Sequence, residues 1–362
     1  MPAKILDIRK LDVNMNWQGK VLDGIKWLEP KKNPFVVSGF GWFKKEKLYR
    51  RLPVKPKWKI REAVDVLADC TAGGQLCFRT DSKRVAIRVL LSEAEAMYHM
   101  PATGRCGFDC YIGAPGQKRY IGTARFDQTK LGYEHCFFET DKNEIKNITL
   151  NFPLYQGVKD LLIGIDKGSK VLPPVPYKNK KKVIIYGTSI THGGCASRPG
   201  MAYTNVLSRR FNLEFINLGF SGNGTGEPEI AKIISEIEDP ACIVLDYEAN
   251  AAKAIFTTLY SFINIIRNRY KNVPILVVSR IRFAQETIGK ETEMRIERRD
   301  FQRTAVVKLK AGGDKNIYFL DGSTLLGKDY DECTVDGVHP TDLGFMRMAD
   351  GIGPVLRKIL KQ

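Results

Sequence analysis

Short runs with a period of two occupy the chain from about residue 75 to 170. Leu76-Cys77-Phe78-Arg79-Thr80 leads through a Ser-Lys-Arg turn to Val85-Ala86-Ile87-Arg88-Val89-Leu90. Phe108-Asp109-Cys110-Tyr111-Ile112, Arg119-Tyr120-Ile121-Gly122, Ile148-Thr149-Leu150-Asn151-Phe152 and Leu161-Leu162-Ile163-Gly164-Ile165 follow, punctuated by Gly, Pro, Asp and Asn. Alternation at this length, with frequent turns and no helical periodicity between the runs, predicts an antiparallel β-sandwich.

The pattern changes after Val171-Leu172-Pro173-Pro174-Val175-Pro176 and Tyr177-Lys178-Asn179-Lys180-Lys181-Lys182. Prolines followed by lysines read as a stiff extended linker. Beyond it, Val183-Ile184-Ile185-Tyr186 is an apolar strand of buried type. Further runs recur at Phe215-Ile216-Asn217, Cys242-Ile243-Val244-Leu245, Ile275-Leu276-Val277-Val278 and Ile317-Tyr318-Phe319-Leu320. Helical spacings lie between them, as in Ile255, Leu259, Phe262, Ile263 and Ile266. Alternating strand and helix predicts an α/β unit with a parallel sheet covered on both faces. A last helix is expected from Thr341-Asp342, broken at Gly353-Pro354. The boundary falls in the linker, giving units 1–175 and 176–362, close to the two domains that 362 residues suggest.

Composition adds exclusions. A hydrophobic fraction of 43% and a charged fraction of 27% are globular values. No apolar run reaches the ~18–20 residues of a membrane helix, and the first ten residues lack a signal-peptide core. The expectation is a soluble, cytoplasmic protein that uses neither membrane nor nucleic acid. The net charge is +17. Residues 1–180 hold 32 basic and 19 acidic side chains, against 25 and 21 in 181–362. No helix concentrates this excess, so it reads as a lysine-rich surface. Arg50-Arg51, Lys55, Lys57, Lys59 and Arg61, interleaved with Pro53, Pro56 and Trp58, look like a solvated extended segment. Eight cysteines show no Cys-x-x-Cys pair and no zinc spacing. Buried, reduced thiols are expected, with no metal and no cofactor.

In an open α/β sheet, ligands bind beyond the carboxyl ends of the strands. The first strand there is followed by Gly187-Thr188-Ser189-Ile190-Thr191-His192, and the second by Gly219-Phe220-Ser221-Gly222-Asn223-Gly224. The third is followed by Asp246-Tyr247-Glu248-Ala249-Asn250, and Asp336-Gly337-Val338-His339-Pro340 lies near the end. Asp336 and His339, three apart, suit a carboxylate that orients an imidazole. The imidazole could then take a proton from Ser189. Read singly, Asp336 is equally a helix cap and His339 a surface residue. The Ser189 N–H, the Gly222 N–H and the Asn250 amide are candidate donors to an oxyanion. Taken alone, Gly222 is a turn glycine and Asn250 an N-cap.

With these residues in place, the chain resembles the SGNH hydrolases, the superfamily of GDSL-type esterases. Their four blocks centre on Ser, Gly, Asn and His, matched by Ser189, Gly222, Asn250 and Asp336/His339. It further resembles the two-domain subgroup with a GxDLY-type N-terminal domain. Gly107-Phe108-Asp109-Cys110-Tyr111 is that motif with Cys for Leu, and Arg79-Thr80-Asp81-Ser82 and Leu154-Tyr155-Gln156-Gly157-Val158 also fit. The resemblance implies a three-layer, flavodoxin-like SGNH domain behind a jelly-roll-like sandwich. It implies a serine esterase with Ser189, Asp336 and His339 catalytic and Ser189, Gly222 and Asn250 as the oxyanion hole. The implied substrate is a small-molecule or oligosaccharide ester, acetyl esters foremost. A lipid or thioester hydrolase and a non-catalytic glycan-binding protein are the alternatives, and a homo-oligomer is left open. Two positions depart from the family pattern: Thr188 replaces the Asp of the GDSL signature, and Glu248 precedes Ala249-Asn250.

Other motifs fail. Gly222, Gly224 and Gly226 are not followed by the Lys-Ser/Thr of a phosphate loop. Gly187-x-Ser189-x-Thr191 is not the Gly-x-Ser-x-Gly elbow. Glu248 is read as facing solvent and His192 as turn packing, and His99 and His135 receive no chemistry. Trp17, Trp27, Trp42 and Trp58 offer faces for sugar stacking or, more simply, for packing the sandwich and the interface.

Overall fold

The computed structural model describes residues 22–93 and 97–362; Trp17 lies outside them. The N-terminal region is a sandwich of two antiparallel sheets. One runs β1 (Ile25–Leu28), β9 (Val158–Asp166), β4 (Arg84–Leu91), β7 (Gly132–Glu139). The other runs β10 (Val171–Leu172), β3 (Gln75–Thr80), β8 (Lys146–Asn151), β5 (Asp109–Ile112), β6 (Arg119–Thr123), with β2 (Val36–Ser38) also paired to β3. Inward side chains, among them Phe78, Val85, Ile87, Phe108, Leu150, Phe152 and Ile163, form one apolar core between the sheets.

The C-terminal region holds five parallel strands in the order β12 (Glu214–Gly219), β11 (Lys182–Gly187), β13 (Pro240–Asp246), β14 (Ile275–Val278), β15 (Ile317–Leu320). This 2-1-3-4-5 order is the flavodoxin-like doubly wound arrangement, whose binding crevice opens where the strand order reverses. Strands buried on both faces account for the continuous apolar runs in the sequence. On one face, the helix Tyr203–Arg210 and the C-terminal helix Asp342–Leu360 bury Val206, Leu207, Phe345, Met348, Ile352 and Leu356. On the other, Pro228–Ile234, Ile255–Arg269 and Thr292–Ala311 bury residues such as Ile233, Leu259, Phe262 and Val306.

Three expectations are corrected. The C-terminal helix is not broken at Gly353-Pro354: it continues to Leu360 with Pro354 inside it. Buried side chains on both sides of the proline, from Phe345 to Ile359, hold the two halves on the sheet. The Arg50–Arg61 segment is not simply solvated. Arg51 is fully buried, and its guanidinium donates to the carbonyls of Cys70, Leu67 and Gly219. Arg50, also buried, pairs with Asp65 and Asp69. The helix Glu62–Ala68 that these arginines serve packs Val64 and Ala68, with Leu52, onto the core of the parallel sheet. Cations at a helix C-terminus satisfy carbonyls the helix itself cannot. A short helix at Ala102–Arg105 also interrupts the strand-rich stretch.

Residues 173–181 carry no regular structure, yet they are tied down. The Val175 N–H donates to Asn147, the Tyr177 hydroxyl to Gln75 and the Lys178 N–H to Asn212. Trp42 and Trp58 pack against the parallel-sheet core, and Trp27 lies under the Arg88 guanidinium.

Candidate active site

Ser189 opens a single helical turn, Ser189–His192, directly after β11. The preceding Thr188, where the GDSL signature has Asp, caps that turn: its hydroxyl accepts from the Ile190 N–H at 3.3 Å. Thr191 in the same turn donates to the Asp246 carboxylate at 3.0 Å, as does the Tyr203 hydroxyl at 2.8 Å. The Ser189 turn is therefore held from its base as well as from its cap.

His339 arrives from the other end of the chain on a tight loop. Val335 N–H donates to the His339 carbonyl at 2.9 Å, and Gly337 accepts from Ala284 N–H at 2.8 Å. The Cys195 N–H donates to the Pro340 carbonyl at 3.1 Å, so the loop after the Ser189 turn holds the His339 loop. His339 Nε2 lies 2.9 Å from Ser189 Oγ, and His339 Nδ1 lies 2.7 Å from Asp336 Oδ2. Burial alone would raise the Asp336 pKa. Hydrogen bonds from the His339 N–H, the His339 ring and the Val338 N–H outweigh it and hold the carboxyl below its ordinary value. An ionised Asp336 accepts from Nδ1–H, so Nε2 keeps its lone pair for the Ser189 hydroxyl. Serine, imidazole and carboxylate thus form one continuous relay.

The two further blocks close in beside Ser189. Gly222 adopts φ +67°, with open space where a side chain would stand. Gly224 sits so close to the end of β11 that a Cβ would come within 2.2 Å of the Gly187 oxygen. Its N–H donates to Asn250 Oδ1 at 3.3 Å. That bond orients the carboxamide and leaves its NH₂ as the free donor group. The Tyr155 hydroxyl stands 3.3 Å from both the Ser189 carbonyl oxygen and Ser221 Oγ, linking the first two blocks through a residue of the N-terminal region.

Glu248 departs from expectation. It is buried, and it accepts from the Arg280 N–H at 2.7 Å, Gln302 Nε2 at 2.7 Å and Arg298 Nε at 3.1 Å. A buried carboxylate survives only when paired and fully hydrogen-bonded, and these three donors supply that. His192 is packing, as its place in the turn suggests: fully buried, it stacks on Tyr155 with centroids 4.0 Å apart, and its Nε2–H donates to the Leu154 carbonyl at 2.7 Å. Burial holds its pKa well below the ordinary histidine value.

Sequence reasoning gave no chemistry to His99, yet its ring meets that of His339 edge to face at 5.4 Å. Tyr98, 92% exposed, stacks on His99 at 4.5 Å. One ligand-type atom each from His99, Cys195 and His339 lies within 4.8 Å of the other two. No spacing rule could have found this group, because its members come from three separate loops; the scarcity of histidine was the one available signal.

The GDSL-like Lipase/Acylhydrolase family matches residues 180–357. The GxDLY family, described as the N-terminus of Esterase_SGNH_hydro-type, matches residues 25–171. No curated protein matches the chain. Among solved structures, a Bacteroides ovatus ATCC 8483 protein described as a GDSL-like lipase is 29% identical, with 93% of this chain and 98% of that one covered and a TM-score of 0.86. A salicylyl-acyltransferase from a tetracycline biosynthetic pathway is 19% identical, covering 92% and 96%, with a TM-score of 0.71. A family two carbohydrate esterase from Cellvibrio japonicus is 12% identical, covering 93% and 98%, with a TM-score of 0.59. The last two share the fold. The matches to both halves of the chain, and the parallel sheet behind an antiparallel sandwich, place this protein in the SGNH (GDSL-type) hydrolase superfamily, among the esterases with a GxDLY-type N-terminal region.

Proposed function

We propose that this protein is a serine esterase that removes a short acyl group, acetyl foremost, from a carbohydrate alcohol through an acyl-enzyme on Ser189. The observation that carries the reading is the Ser189 Oγ–His339 Nε2 distance of 2.9 Å, continued by 2.7 Å from Nδ1 to Asp336. Ser189 Oγ attacks the ester carbonyl as His339 accepts its proton, and Asp336 stabilises the imidazolium. The Ser189 and Gly222 N–H groups and the Asn250 amide hold the oxyanion. His339 returns the proton to the departing alcohol. Water, deprotonated by His339, then releases the acid and restores Ser189. On this reading the chemistry lies in unit 176–362, and unit 1–175 supplies the wall around Tyr98, His99 and Tyr155.

The carbohydrate part is supported by the exposed Tyr98 ring, which stacks on His99, the ring that meets His339; it is a flat apolar face of the kind on which the C–H face of a pyranose packs. The test is hydrolysis of aryl acetate, butyrate and octanoate by wild type and Ser189→Ala, together with mass loss from acetylated oligosaccharides. Ser189→Ala is expected to lower kcat by roughly 10⁴-fold or more. Equal rates would remove Ser189 as the nucleophile, and preference for octanoate would replace this reading with lipid hydrolysis.

A further inference from the structure

The group formed by His99, Cys195 and His339 has properties that the esterase reaction does not use. Cys195 is 5% exposed, and His99 Nδ1 is buried without a hydrogen-bond partner. The ligand-type atoms lie within 4.8 Å of one another. Two imidazoles and a thiol are a donor set for zinc rather than for magnesium or calcium. A tetrahedral zinc with bonds of about 2.0–2.3 Å sets its ligand atoms roughly 3.3–3.8 Å apart. The widest separation therefore has to shorten by roughly 1–1.5 Å, and all three residues lie in turns or bends, outside the strands and helices.

His339 also has no spare nitrogen. Nδ1 serves Asp336 and Nε2 serves Ser189. A metal bound to this ring must displace one of them, and either displacement removes the base from the relay.

We propose that His99, Cys195 and His339 form an inhibitory Zn²⁺ site, with water in the fourth position, whose occupancy excludes turnover. The exclusion rests on His339 being the catalytic base; the ligand set does not. As the zinc–sulfur bond forms, the Cys195 thiol releases its proton to solvent. The N-terminal region thereby gains a regulatory part: the loop carrying His99 completes a site that silences the catalytic histidine.

The experiment titrates metal-free protein with ZnCl₂ by calorimetry and follows aryl acetate hydrolysis at each zinc level. It is repeated with Cys195→Ser and His99→Ala, and Co²⁺ serves as an absorbing probe. The expected result is one Zn²⁺ per chain, inhibition that tracks occupancy, and full recovery with EDTA. Cys195→Ser should retain the metal-free rate and melting temperature; both variants should bind zinc at least about tenfold more weakly, with inhibition, read against each variant's own metal-free rate, shifted in step. Cobalt should show a thiolate charge-transfer band that Cys195→Ser lacks. Absence of binding at micromolar zinc, or wild-type affinity in both variants, would overturn the site. Zinc binding with the expected ligand dependence, in a protein whose Ser189→Ala form still hydrolyses at the wild-type rate, would instead remove Ser189 as the nucleophile and with it the route to inhibition through His339, while the ligand set stands.

Discussion

Asn250 shows how one hydrogen bond orients a side chain at the scale of a residue. Its Oδ1 already accepts from Gly224, so its NH₂ is the end available to a developing oxyanion. Asn250→Ala should lower kcat on aryl acetate about 10²–10³-fold with little change in KM; a loss of melting temperature with kcat intact would reduce Asn250 to a structural residue. Asp246 is the other instructive residue. Burial pushes its carboxyl up to about 7, against the lowering effect of hydrogen bonds from Tyr203 and Thr191. A carboxyl whose folded pKa exceeds its unfolded value near 3.9 holds its proton longer in the folded state. Its contribution to stability is complete below about pH 4 and is lost as pH rises through about 7. Asp246→Asn keeps an acceptor for both hydroxyls and removes the titration. Its melting temperature should exceed that of wild type above neutrality, and the difference between the two should shrink on acidification.

At the scale of elements, the C-terminal helix is the informative case. Proline in a helix interior lacks an N–H and crowds the preceding turn, at about 3 kcal/mol. That is why residues 353–354 read as a break. The apolar stripe on both sides outweighs this local penalty, and Pro354 itself faces solvent. Pro354→Ala should therefore raise stability by about 1–3 kcal/mol in urea unfolding, with esterase activity unchanged. Similar competition explains which strands were legible. β3, β4, β8, β9 and the five parallel strands announce themselves because a buried face imposes a regular pattern. β7 does not: only Tyr133 and Phe137 of it are buried, and its pairing with β4 carries a register irregularity between Val85 and Ala86. β2 and β10, of three and two residues, are too short to show a period.

On the scale of the whole molecule, the N-terminal region reaches into the parallel-sheet region. Arg51 spans from the helix Glu62–Ala68 to the Gly219 carbonyl, and its guanidinium lies 4.9 Å from the Phe220 ring. Gly219 and Phe220 lead directly into the Gly222 loop. Arg51→Met should cost about 3–5 kcal/mol, because buried carbonyls lose their donor and the loop its anchor. It should also lower the kcat of the folded enzyme. Arg50→Met, which loses only the pairs with Asp65 and Asp69, should affect stability alone; equal kcat in the two variants would refute a positioning role for Arg51.

The sequence by itself determined what depends on neighbours within a few residues. The two periodicities separate a sandwich from a parallel sheet, the Asp336-x-x-His339 spacing pairs carboxylate with imidazole, and the placement of Ser189, Gly222 and Asn250 after successive strands brings them to one edge. Tertiary structure alone decided what depends on charge burial and on distant loops. Glu248 and Arg51 look like solvent-facing residues in any local window, and they are buried because partners far along the chain satisfy them. His99 and Cys195 join His339 only because the sandwich packs against the crevice of the parallel sheet. Local patterns encode which face a side chain takes; which distant groups share that face is settled by packing.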